Sequence, residues 1–156
     1  MKKGCFFSCL LICFCFLVQP SHAGDRAMLS EGQTIYVPAY SHIYMGSREK
    51  PFLLTITLSI RNIDLENQLE ITAVDYYHTQ GTLLKKHLAK PVTLKPLESL
   101  RYVVPEDDKT GGSGANFIVE WKSDKPLNPP IVETIMIGGK SGQGISFVSR
   151  GKEVFK

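Results

Sequence analysis

With 156 residues, 18 of them basic and 15 acidic, the chain carries a net charge of only +3. That is no electrostatic footprint for nucleic acid or an anionic membrane, which call for concentrated lysine and arginine. The length supports one domain with a real core and leaves no room for two.

The first element is a leader, MKKGCFFSCLLICFCFLVQPSHAGD. Lys2 and Lys3 precede an apolar run from Cys5 to Val18, Pro20 breaks it, and Ser21-His22-Ala23 offers small residues to a signal peptidase. The run is too short to span a bilayer, which takes about 20 residues. Cys13 follows Ile12 and Cys15 follows Phe14, so neither has the small neighbour a lipidated cysteine needs. The expectation is a signal peptide over residues 1–23 and one soluble, exported domain over 24–156, periplasmic or extracellular and not a lipoprotein. All four cysteines leave with the leader, which excludes disulfides and cysteine-based metal or redox chemistry from the domain. Its net charge falls to about +1 once the two lysines are lost.

Beyond the leader the dominant period is two. A first strand over 34–44 bends at Pro38 and carries Tyr36, Tyr40 and Tyr44. In LLTITLSIR (53–61), Leu54, Ile56, Leu58 and Ile60 share one face, while Thr55, Thr57, Ser59 and Arg61 share the other. LEITAVDYY repeats the alternation, with a slip at Ala73-Val74 that a bulge explains. Further strands follow over 82–87, 91–95, 99–104, 115–122 and 131–137, with 145–149 as a ninth. Phe117 and Trp121 fall in phase and read as core. Ile131 to Ile137 is apolar on both faces, as in a central strand or one lying against another chain. SDKPLNPP (123–130) reads as a stiff loop. No window holds a sustained helical period. The fold class is all-β: a single antiparallel, immunoglobulin-like β-sandwich of eight or nine strands with little helix. VTLKPLESLRYVV, a strand, a proline turn and a strand, fits that architecture.

If successive strands alternate in direction, every second loop shares an end. Counting back from GGKSGQG (138–144) puts 105–114, 88–90 and 62–68 at its end, and 46–51, 78–81, 96–98 and 123–130 at the other. The two glycine-rich loops then converge, and EDDKTGGSGAN is expected to pack on GGKSGQG, with Ser113 and Asn116 bonding across. The candidate binding residues are Asp107, Asp108, Gly111, Gly112, Ser113, Gly114, Asn116, Lys140, Ser141 and Gln143.

The stronger chemistries lack support. GGKSGQG has Thr134 where a phosphate loop needs glycine, and a strand follows instead of a helix. GGSGA resembles a nucleophile elbow but also leads into a strand. Glu106, Asp107 and Asp108 are consecutive, whereas calcium loops space their acids alternately. His42, His78 and His87 are far apart, and Asp75 and His78 face opposite sides of a regular pleat. No cofactor or metal is expected, and the balance falls against an enzyme.

Four stretches carry a family resemblance: SHIYMGSREKPFLLTITLSIRN (41–62), ITAVDYYHTQG (71–81), GGSGANFIVEW (111–121) and SGQGISFVSRG (141–151). They are similar to the bacterial exported family known as domain of unknown function 3124 (DUF3124). The resemblance implies one whole exported domain and no particular activity. The reading is thus a non-catalytic module binding an unknown protein or small ligand through the glycine loops, with no nucleic-acid partner and no membrane span after leader cleavage. The alternatives are a carbohydrate or cell-envelope binder using exposed tyrosines, and a small hydrolase using Ser113 or Ser141.

Overall fold

The computed structural model describes residues 28–46, 50–140 and 142–155. The expected leader and cleavage point and all four cysteines lie outside these residues, as does Ser141. Twelve strands occupy most of the described chain: β1 (Ser30–Pro38), β2 (His42–Met45), β3 (Lys50–Leu53), β4 (Thr55–Arg61), β5 (Leu69–Tyr77), β6 (Leu83–Lys86), β7 (Val92–Leu94), β8 (Ser99–Val104), β9 (Asn116–Leu127), β10 (Ile131–Lys140), β11 (Gln143–Arg150) and β12 (Lys152–Val154). All pairings are antiparallel. One sheet runs β12-β1-β9-β5, with β6 and β7 both on the far edge of β5. A second runs β11-β10-β4-β8, and β2 pairs with β3 in a small third sheet.

Alternation places the core. Leu54, Ile56, Leu58 and Ile60 are fully buried, as are Phe117 and Val119, and Trp121 is nearly so. They join Ile35 and Val37 of β1, Ile71, Val74 and Tyr76 of β5, and Val132 and Met136 of β10 in one apolar cluster fed by both large sheets. Each fully buried Leu, Ile, Val or Phe contributes about 1.5–3 kcal/mol. β10 is central, flanked by β4 and β11. Its second apolar face, Ile131 and Ile137, is exposed on the outside of the sheet.

The strand count of eight or nine is corrected to twelve among the described residues, and the reasons are local. The segment 34–44 is two strands in two sheets, because Ala39 and Ser41 turn inward and are fully buried where one bent strand was expected. Residues 52–61 divide at Leu54, whose N–H donates to Ser41 O at 2.9 Å. β9 does not stop at Lys122. It runs on to Leu127, so five of the eight residues 123–130 are strand, with the extra residues taken up in an irregularity opposite Ser30–Gly32. The slip in β5 is real but falls between Ile71 and Ala73. β12, three residues long, has no alternation long enough to read.

One error has wider consequences. β6 and β7 both pair antiparallel with β5, β6 at its C-terminal half and β7 at its N-terminal half. They run in the same direction as two pieces of one edge strand, so 88–90 is no reversal. The loop count is right back to 96–98 and inverted before it. Loop 78–81 and the paired ends of β2 and β3, Met45 and Lys50, therefore belong with 105–114 and the paired ends of β10 and β11, whereas 62–68 lies at the opposite end with 94–98 and 128.

Candidate functional site

The EDDKTGGSGAN loop is held from within and from below. Thr110 N–H donates to Asp108 Oδ1 at 3.0 Å, and Asp108 N–H to Pro105 O at 3.0 Å. Thr79 then clamps the glycines: its N–H and hydroxyl both donate to Gly111 O at 3.0 Å, and its hydroxyl oxygen accepts from Gly114 N–H at 3.0 Å. Ser41 N–H donates to Gly112 O at 3.0 Å, and the Ser41 and Tyr76 hydroxyls bond each other at 3.0 Å. Gly111 is buried so close to the Tyr76 hydroxyl that any Cβ would collide with it. Gly112 has a φ of +80°. Burial raises the Tyr76 phenol pKa, against the lowering effect of Ser41, with a small further rise from Asp108. These glycines serve close approach to β5 and its following turn.

GGKSGQG faces different partners. A Cβ on Gly138 would collide with Leu53 O, lie 2.6 Å from Phe52 Cε1 and 2.8 Å from Leu54 Cδ2. Gly138 thus lets the β2–β3 hairpin lie across β10. Gly139 has only Gln143 O near, at 3.9 Å, and Gly142, φ +79°, faces open space. The expected packing of 111–114 onto 138–144 is not what holds either loop. The bonds of Gly111, Gly112 and Gly114 run to Thr79, Ser41 and Lys109, and Asn116 pairs with Pro38 and Tyr77.

The two loops do share a cleft, with β3 between them. A hollow of about 290 Å³ is floored by Pro51, Phe52 and Leu53 and walled by Glu106, Lys109, Gly139 and Lys140. It adjoins a second hollow of about 220 Å³, which shares Pro51, Phe52 and Lys140 and adds Met45, Lys50 and Gln143. Phe52 is 6% exposed and belongs to the core, so the floor is rigid. None of Lys50, Lys109 and Lys140 has a carboxylate within ion-pair reach among the described residues. Of the residues singled out from sequence, Lys140 and Gln143 line this cleft. Asp107 and Asp108 lie in the loop that supplies Glu106 and Lys109, and Gly111 to Gly114 anchor that loop. Sequence reading missed Phe52 and Lys50 because the inverted loop count put 46–51 at the wrong end. Their signal, a Lys-Pro-Phe step opening a strand, was available.

Among the described residues no serine is hydrogen-bonded to a histidine. Ser113 is half-buried, and no histidine hydrogen-bonds to it among the described residues. His78 lies near the loop, but its Nδ1 accepts from Gln80 N–H at 3.2 Å. His42 meets the Tyr44 hydroxyl at 3.3 Å, and His87 packs between Tyr102 and Phe117. The tyrosines form no common platform: Tyr40 packs edge-on against Phe147, and Tyr36 and Tyr44 stand on strands of different sheets. No group of three His, Cys, Asp or Glu converges among the described residues. No helix among them is long and apolar enough to cross a membrane.

The fold and the cleft together define an almost wholly β-sheet protein with one cationic hollow over a buried aromatic floor. The chain belongs to the family described as protein of unknown function (DUF3124), an uncharacterised bacterial family whose model matches residues 32–154. It is similar to the crystal structure of Thermotoga maritima 1070 at 14% identity and a TM-score of 0.46, over 77% of this chain and 92% of that one. No curated protein matches.

Proposed function

We propose that the protein is an exported, non-catalytic binding module whose ligand sits in the cleft between β3, the 105–114 loop and the β10–β11 hairpin. The observation that carries this reading is the hollow over Phe52, where Lys109 and Lys140 come from two separate loops. A rigid apolar floor with a few charged groups around it is the usual form of a small-molecule site. Lys140 and Gln143 are the contact residues of one wall; Ser141, the residue between them in sequence, lies outside the described residues. Asp107 and Asp108 flank the other, and Gly111, Gly112, Ser113, Gly114 and Asn116 keep that wall in place. Two large antiparallel sheets with a shared core support reading the domain as an immunoglobulin-like sandwich. The leader pattern supports export to the periplasm or medium as a soluble chain starting at Gly24.

Two measurements test this. Intact mass of the protein recovered from periplasm or medium should correspond to residues 24–156 without lipid; a retained leader or a diacylglycerol adduct tells against soluble export. Amide shift mapping with a fragment library should concentrate hits on 50–53, 106–109 and 139–143. Hits confined to the opposite end, around Glu66 and Ser123, would move the site there.

A further inference from the structure

Resting on that reading, we infer that the cleft takes an amphipathic monoanion, a single carboxylate or like group on an apolar body, with its head at Lys50 and Lys140. The two hollows differ in charge. The one bearing Met45 and Gln143 has Lys50 and Lys140 and, among the described residues, no acid. The one bearing Leu53 has Lys109 opposed by Glu106. An anion entering the first meets two ammonium groups, with the Gln143 amide as a further donor. An anion in the second meets Lys109 and Lys140 but is repelled by Glu106. Phe52 and Pro51 belong to both hollows and form a continuous floor along which an apolar body can lie.

This arrangement disfavours the neighbouring chemical classes. A cation or free amine would have to approach three lysines that have no ion-pair partner among the described residues, for the sake of one carboxylate. A polyanion would extend past Phe52 onto Glu106. A neutral apolar ligand would leave Lys50 and Lys140 without counter-charge in a partly enclosed space, forgoing the gain an anion provides. Inorganic phosphate would use the charge and leave the floor in water.

The test uses protein recovered from cells expressing the full chain and four probes: phenylbutyrate, phenylbutyramide, phenylbutylamine and inorganic phosphate. Dissociation constants are read from the amide shifts of residues 50–53, 106–109 and 139–143. Phenylbutyrate should bind about tenfold more tightly than its amide, since two exposed charge pairs contribute modestly each. The double variant Lys50→Gln/Lys140→Gln should erase that advantage; Lys109→Gln should change it less than about threefold. All three lysines are exposed, so these variants fold. If amide or amine binds as well as the acid, the anion assignment falls and the cleft remains a binding site. Phosphate binding as tightly as phenylbutyrate removes the apolar body from the proposal. If no probe moves those amides, both the ligand class and the cleft as a site are overturned.

Discussion

At the end bearing Asp64, loops are joined by side chains; at the end bearing Phe52, they are joined by glycines that let backbones meet. Asp64 Oδ1 accepts from Glu66 N–H at 3.1 Å and from the Asn67 N–H and amide at 2.8 and 3.0 Å. Its Oδ2 accepts from the Asn128 N–H and amide, both at 3.2 Å. Asn62 completes the knot by donating to Asn67 O, Leu94 O and Lys95 O. At the other end Gly111 and Gly138 are buried where a Cβ cannot fit. Both ends have hollows of about 300 Å³ or slightly less, but the Asp64 end's lining, Glu66, Ser123, Asp124 and Lys125 among it, has no buried aromatic floor. A side-chain knot saturates its own polar groups. At the glycine end Lys50, Lys109 and Lys140 are exposed around the nearly buried Phe52, and it is this difference that the proposed site rests on.

Breaking the knot should have the largest effect. Asp64→Ala strands five donors at once and should lower the urea midpoint more than any other single polar substitution. The acid limb tests the same group. Hydrogen bonds from the Glu66 N–H above all, then Asn67 and Asn128, hold the Asp64 carboxyl well below the usual carboxylate range. A depressed folded pKa means stability that is complete above the unfolded value, about 3.9, and is lost as pH falls below it. Asp64→Asn should flatten that loss in acid-unfolding curves. An unchanged acid limb would remove Asp64 from the comparison.

Next comes the glycine joint. Gly138→Ala should cost about 2–3 kcal/mol, because the atoms in the way include the Leu53 carbonyl and core side chains that cannot step aside. It should also lift β3 and weaken binding in the cleft. The adjacent Gly139→Ala meets nothing closer than 3.9 Å and should stay within about 0.5 kcal/mol. Equal costs at the two positions in urea unfolding would show that the joint is not steric.

How much of this was legible follows from where the information lies. Ile56, Leu58, Ile60, Phe117 and Trp121 announced their burial because alternation is a local property of a strand. The turn at Ser41 was not legible, since a buried serine is decided by Tyr76, 35 residues away. Nor was the identity of β6 and β7 as one edge, because that requires knowing that both pair with β5. The convergence of the 105–114 and 138–144 loops was recovered because only the β9, β10 and β11 reversals were needed for it. Phe52 was lost to the same count, one uncounted merger further back. The Asp64 knot entered the sequence reading only as the loop 62–68. Asn-x-Asp-x-x-Asn carries a turn signal, but the long-range acceptors at Leu94 and Lys95 carry none.

His87 sits on the seam between the sheets, away from both ends, and should give a smaller effect. Its Nε2 is buried without a partner among the described residues, against Tyr102 of β8 and Phe117 of β9. Burial first, then Lys85, lower its pKa, and Asp75 opposes them. The unfolded chain therefore takes up the proton before the folded one does. Stability from this group is complete above about pH 6.5 and declines as pH falls below it. His87→Phe should stabilise by up to about 1 kcal/mol, the scale of one unmet buried polar atom, and remove the decline. A midpoint that stays flat from neutral to mildly acid pH in the unsubstituted protein would rule this out.

The smallest expected effect is a coupling near zero, and it decides whether the glycine end is one surface or two walls. Gly112→Val and Gly142→Val both force a β-branched side chain into positive φ, at a cost of about 1–3 kcal/mol each. Gly112→Val should cost more, because its Cβ would also strike the Thr79 hydroxyl, whereas Gly142 faces open space. The two strains fall on different partners: Thr79 and the β5 turn for one, the β10–β11 turn alone for the other. With no shared neighbour, the double variant should lose the sum of the single losses to within about 0.5 kcal/mol. Ligand then becomes the only bridge between the walls. Repeating the cycle with saturating phenylbutyrate should produce a coupling that the free protein lacks, since the ligand's grip needs both walls in place. A coupling already above 1 kcal/mol without ligand would instead mean that the loops touch, and the cleft would be a groove on one continuous surface.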